Sequence, residues 1–150
     1  LQRPVGCGAM NILYLCTGNS CRSQMAEGWT RHLAPLDVAV RSAGLEAHGL
    51  NPHAVTTMQK AGVDISGQYS AILADADLDW ADQVITVCGH ADVHCPLLPP
   101  HTNKQHWPID DPAGATGSDA EIAAVFATAR DLIRDHVSAL LADHPPAATP

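Results

Sequence analysis

Apolar and polar positions follow two rhythms along this chain. Short runs that are apolar almost throughout, first over residues 11–15, alternate with longer stretches whose apolar residues recur three and four apart. The first rhythm fits buried parallel strands, the second amphipathic helices. Strands are expected over residues 11–15, around Val38, Val40 and Ser42, over residues 83–87, and over a short fourth segment, residues 105–109. A helix over residues 23–33 carries Met25, Ala26, Trp29 and Leu33 on one face. Asn51-Pro52 reads as a helix start, with Asn as N-cap and Pro in the first turn. Val55, Met58 and Ala61 then face inward, and Gly62 ends the helix. Residues 65–79 are mixed and predict no single element. Ser118 and Glu121 form a capping box ahead of a long last helix. Ile122, Val125, Phe126, Ala129, Leu132, Ile133, Val137 and Leu140 mark its apolar face.

Strands alternating with helices predict an α/β fold: a single three-layer α/β/α domain on a four-stranded parallel sheet. Such sheets bind ligands at the carboxyl ends of their strands. The domain is expected over residues 10–142, with Met10 a natural start. Residues 1–9, including Cys7, read as an unpatterned leader or a non-native remnant, and residues 143–150 as a flexible Pro- and Ala-rich tail.

Composition narrows the function. The 150 residues are 46% hydrophobic and 16% charged, which is globular. Aromatic residues make up 4%, so aliphatic side chains build the core. A net charge of −8 argues against nucleic acid or an anionic membrane as partner. The odd count of 5 cysteines favours working thiols in a reducing compartment over a disulfide framework, and a cytoplasmic protein is expected.

The segment Cys16-Thr17-Gly18-Asn19-Ser20-Cys21-Arg22-Ser23 sits where the first strand hands over to the first helix. Loop N–H groups and a helix N-terminus converging on one spot make an anion cradle. Cys16 lies in that field, which stabilises negative charge on its sulfur. Arg22 adds a planar fork that grips two oxygens of a tetrahedral oxyanion, and Ser23 can donate its hydroxyl to the sulfur. Together these residues describe a cysteine nucleophile facing a phosphate-like anion. Cys21 reads as a packed thiol, with a fallback disulfide to Cys16 as the alternative.

Cys88 follows the third strand and so shares the sheet edge with Cys16; Cys95 lies seven residues further on. A thiol at Cys88 is placed to attack a sulfur adduct on Cys16. A rival reading takes Cys88, His90, His94 and Cys95 as zinc ligands, although a four-ligand site within eight residues is cramped. After the fourth strand comes Asp110-Asp111-Pro112, where either carboxyl can protonate a leaving oxygen.

Residues 16–23 resemble the Cys-x5-Arg-Ser/Thr signature of low-molecular-weight protein tyrosine phosphatases. The longer string LCTGNSCRSQMAEGW is more specifically similar to the thioredoxin-coupled arsenate reductases built on that fold, as are SAGLEAHGLNP, VCGHADVHCPLLPP and HWPIDDPAG. The resemblance implies a relay of Cys16, Cys88 and Cys95 regenerated by thioredoxin or a similar dithiol, with arsenate as substrate and phosphate or sulfate as competing anions. It places the acid at Asp111. Phosphatases of this fold resemble one another in an aromatic residue after Asp-Pro, where this chain has Ala113 and Gly114. Some of these reductases resemble one another in a potassium site, matched here by Asn19, Glu27 and Ser42. Tyr69 and Ala71 stand where further ligands are expected, and the missing carboxylate counts against potassium. No other cofactor is implied, and a monomer is expected. The resulting expectation is a cytoplasmic arsenate reductase. The alternatives are a phosphatase using Cys16, Arg22 and Asp111 alone, and an oxyanion- or zinc-binding sensor.

Overall fold

A computed structural model describes residues 9–143. Cys7 and most of the expected leader and tail lie outside the described residues. The strands are β1 (Met10–Cys16), β2 (Val38–Gly44), β3 (Gln83–Thr86) and β4 (Asn103–His106), in sheet order β2-β1-β3-β4. All neighbours are parallel, with Cys16 opposite Gly44 and Leu15 opposite Thr86. The helices are α1 (Arg22–Leu33), α2 (Pro52–Lys60), α3 (Asp75–Trp80), α4 (Gly89–Val93) and α5 (Asp119–Ala142), with a 3-10 turn over Pro112–Gly114. This is the α/β fold with a four-stranded parallel sheet that the sequence predicts.

The centre of the sheet explains the apolar run at its start. β1 has a strand on each side, so Ile12, Leu13, Tyr14 and Leu15 are all fully buried. Polar groups lock the helices onto this core. Tyr14 Oη lies 2.7 Å from Thr30 Oγ1 of α1, and Trp29 Nε1 donates to the Arg130 carbonyl of α5 at 3.1 Å. Arg130 in turn donates to the Thr57 carbonyl of α2 at 3.0 Å. Asn51 caps α2 by accepting from the His53 N–H at 2.8 Å, and Gly62 turns the chain away at a φ of +83°. The capping box forms: Ser118 Oγ and Glu121 Oε1 each accept the other's N–H at 3.1 Å.

Several expected positions shift. β4 spans Asn103–His106 rather than residues 105–109. It is an edge strand with four exposed residues, so its pairing leaves no hydrophobic signature. Trp107 and Ile109, which suggested the strand, instead turn inward just after it. Leu33 on α1, and Val125 and Leu132 on α5, are exposed rather than packed inward. The mixed stretch resolves into a turn, a bridge from Ile72 to Gly44, and the short α3.

Candidate active site

β1 ends at Cys16, and the loop that follows delivers the chain to α1 beside the carboxyl end of the sheet. Cys16 is buried at the loop's floor, and its Sγ has two hydrogen-bond partners: Ser23 Oγ at 2.8 Å, and the Asn19 N–H, which donates at 3.1 Å. No side chain caps α1, so its first-turn N–H groups face the loop. Arg22 Nη1 donates to the Ile109 carbonyl at 2.7 Å. Asp111 Oδ2 lies 3.8 Å from the same guanidinium, while its Oδ1 accepts the Ala113 N–H at 3.0 Å. Asp110, left open by the sequence, lines a groove beside α5 with Val125 and Leu132. Arg22, at the end of the loop that begins with Cys16, thus joins that loop to Asp111.

Asn19 fixes the loop's shape. It is fully buried at a φ of +48°, a left-handed conformation that Asn tolerates better than most residues. Its Nδ2 donates to Ser23 Oγ at 2.9 Å and Ser42 Oγ at 3.0 Å, and its Oδ1 accepts the Ala71 N–H at 2.8 Å. The side chain therefore supports the loop from behind, and only its N–H faces the sulfur. Gln24 donates to the Asn19 carbonyl at 3.0 Å and is itself held by Gln68 at 2.8 Å. Ser70 donates to the Gly18 carbonyl at 3.0 Å. The sequence reading missed Gln24, Gln68 and Ser70; the signal was a glutamine inside a helix face that is otherwise buried. A Cβ at Gly18 would meet the exposed His48 ring, which would have to move aside. Cys21 packs as a buried thiol, its pKa pushed up to about 12, chiefly by burial and further by the Asp111 charge.

Cys88 caps α4 at the end of β3, and its Sγ accepts the Ala91 N–H at 3.3 Å. Thr17 Oγ1 also lies 3.3 Å from that sulfur, which ties Cys88 to the anion loop. Cys95 stands apart, two residues beyond the far end of α4 and partly buried against the core. All four described cysteines are free thiols. His90 and His94 pack ring to ring at 4.4 Å, and among the described residues no group of three or more His, Cys, Asp and Glu side chains is placed to hold a metal ion.

The residues matched to a potassium site do not fit a resident ion. Glu27 Oε1 accepts the Ser42 hydroxyl at 2.6 Å, and Arg31 Nη2 lies 2.9 Å from Glu27 Oε2. The carboxylate already has a cationic partner, and residues 69 and 71 offer no second one.

Residues 11–145 match the model of the family described as low molecular weight phosphotyrosine protein phosphatase. The chain belongs to that family. A relative named arsenate reductase, from Bacillus subtilis strain 168, is 52% identical over 81% of this chain and 88% of its own length. A solved structure described as an arsenate reductase in the phosphate binding state aligns at TM-score 0.75 and 34% identity, covering 91% of this chain and 99% of that one. The thioredoxin-dependent arsenate reductase of Corynebacterium glutamicum aligns at TM-score 0.67 and 28% identity, over 90% of this chain and 63% of that one. Among the described residues, no helix is long and apolar enough to cross a membrane.

Proposed function

We propose that this protein reduces arsenate to arsenite through a relay of three thiols. The observation that carries the reading is the Thr17 link between the anion loop and Cys88, which sets a second thiol at the edge where Cys16 would hold an oxyanion. The named relatives support the substrate, and the phosphatase-family fold of this chain supplies the cradle.

The chemistry follows from the placement. Cys16 Sγ attacks arsenic held by the loop N–H groups and Arg22. One arsenate oxygen leaves as water after taking a proton from Asp111. Cys88 Sγ then attacks Cys16 Sγ. The S–As electron pair passes to arsenic, which falls from the +5 to the +3 state, and a Cys16–Cys88 disulfide forms. Cys95 attacks Cys88 and releases Cys16 as thiolate. An external dithiol protein, thioredoxin in this reading, reduces Cys88–Cys95 and returns the two electrons. A phosphotyrosine ring would find no aromatic platform at Ala113 and Gly114, which fold into the 3-10 turn beside Asp111.

Reduced protein incubated with arsenate and no reductant should release one arsenite and acquire a Cys88–Cys95 disulfide, read by mass mapping. Asp111→Asn should slow this about 100-fold or more, the lower range for losing a general acid. Turnover of an aryl phosphate with no arsenate-dependent thiol loss would leave a phosphatase as the better reading.

A further inference from the structure

The carbonyls of the anion loop have donors behind them. Cys16 accepts the Leu45 N–H at 3.1 Å, Thr17 the Glu46 N–H at 2.8 Å, and Ser20 the Asn51 N–H at 3.0 Å. Gln24 Nε2 donates to the Asn19 carbonyl at 3.0 Å. The Gly18 carbonyl takes two donors, the His48 N–H at 2.9 Å and the Ser70 hydroxyl at 3.0 Å. In a trans peptide the carbonyl and the N–H point opposite ways. A carbonyl held outward therefore turns the next N–H inward. In the Gly18–Asn19 peptide that N–H is the one that donates to Cys16 Sγ at 3.1 Å.

Ser70 is itself fixed from both sides. The Tyr69 carbonyl accepts from Gln24 Nε2 at 3.0 Å, and the Ala71 N–H donates to Asn19 Oδ1 at 2.8 Å. We infer that Ser70 is a positioning residue for the nucleophile. By gripping the Gly18 carbonyl, its hydroxyl keeps the Asn19 N–H aimed at Cys16 Sγ and so supports negative charge on that sulfur. The inference rests on the reading of Cys16 as nucleophile given above. Ser70 acts on the sulfur through this one peptide. The charged and titratable groups around the loop are Arg22 and Cys21 within it, Asp111 beside Arg22, Cys88 beside Thr17, and the His48 ring against Gly18. Ser70→Ala changes none of them, so its effect isolates the peptide.

Iodoacetamide alkylation of the reduced full chain over a range of pH tests this, with the label on Cys16 located by fragmentation mass spectrometry. The thiolate is the reacting form, so the rate climbs with pH to a plateau. Ser70→Ala should carry the rising limb to higher pH. On that limb Cys16 should label roughly threefold more slowly, the scale of one neutral hydrogen bond, while the plateau rates agree. Ser70→Thr keeps the hydroxyl and should restore the native profile. Arsenite release by Ser70→Ala should show the same deficit, shrinking as pH rises. Equal slowing at every pH in Ser70→Ala and Ser70→Thr alike would make Ser70 a packing residue and overturn the inference. A native alkylation profile in Ser70→Ala also overturns it, while leaving the relay intact. If the unaltered chain forms no disulfide with arsenate, the reductase reading falls, and the alkylation profiles still decide the role of Ser70.

Discussion

Thr17 Oγ1 and Cys88 Sγ stand 3.3 Å apart although 71 residues separate them in sequence. The contact joins the first loop residue after the nucleophile to the thiol that must strike it. The hydroxyl can donate to the Cys88 sulfur and hold it toward the loop. A hydrogen bond of this kind is worth about 1 kcal/mol. Thr17→Val keeps the shape and the backbone N–H but removes the donor. Rapid-quench measurement of arsenite should show its release slowed about fivefold, while loading of arsenate onto Cys16 proceeds as before. Equal slowing of both steps would show that Thr17 serves the cradle alone.

Asn19 meets two demands at once, a left-handed backbone and a side chain that bonds Ser23, Ser42 and Ala71. Asn19→Gly accepts the backbone but loses the bonds. Asn19→Ala loses both. The unsatisfied buried groups cost roughly 1–3 kcal/mol, and a Cβ in the left-handed region about 1 kcal/mol more. Urea unfolding should therefore rank the native chain above Asn19→Gly, and Asn19→Gly above Asn19→Ala. The reverse order of the two variants would mean that backbone strain plays no part in the loop.

Cys21 sits in the anion loop, yet burial and the Asp111 charge hold its thiol at a pKa of about 12. For an acid raised this far the neutral form persists until the pH approaches that value, so at pH 8 only about one molecule in ten thousand carries a thiolate there. Brief iodoacetamide treatment of the native protein at pH 8 should leave Cys21 unmodified while half-buried Cys95 reacts. Labelling of Cys21 at a rate comparable to Cys95 would mean that the loop opens far more often than its packing implies.

The strand, loop and first helix were legible because everything that defines them is local: an apolar run, a glycine, and a Cys and Arg at fixed spacing. The same holds for the Asn51 cap and the Ser118–Glu121 box. What escaped the sequence depends on distant neighbours. β4 is named by its pairing with β3, not by burial, so a search for apolar residues slid two positions toward Trp107 and Ile109. Gln24 and Gln68 are 44 residues apart and gain their role by meeting behind Asn19. Val125 and Leu132 follow the helical period but fall at the rim of the buried face, where no described element covers them.

Arg31 alters what the matched cation residues can do. Glu27 is buried, and its carboxylate braces Ser42, which braces Asn19 and through it the loop. A buried carboxylate needs a positive partner. Arg31, one turn along α1, meets that need with Nε and Nη2 each 2.9 Å from Glu27 Oε2. A bound potassium ion would compete with a guanidinium tethered to the same helix. Exchanging potassium for sodium at constant ionic strength should therefore leave the activity and melting temperature of the native chain unchanged. Arg31→Met removes the tethered charge. Because Arg31 is itself more than half exposed, with 57% of its side chain accessible, the loss should be about 1 kcal/mol rather than the larger cost of breaking a fully buried pair. That variant should melt higher in potassium chloride than in choline chloride, as the small cation reaches Glu27. A native chain whose melting temperature climbs with potassium but not with sodium would overturn the assignment, because it would place an ion where Arg31 stands.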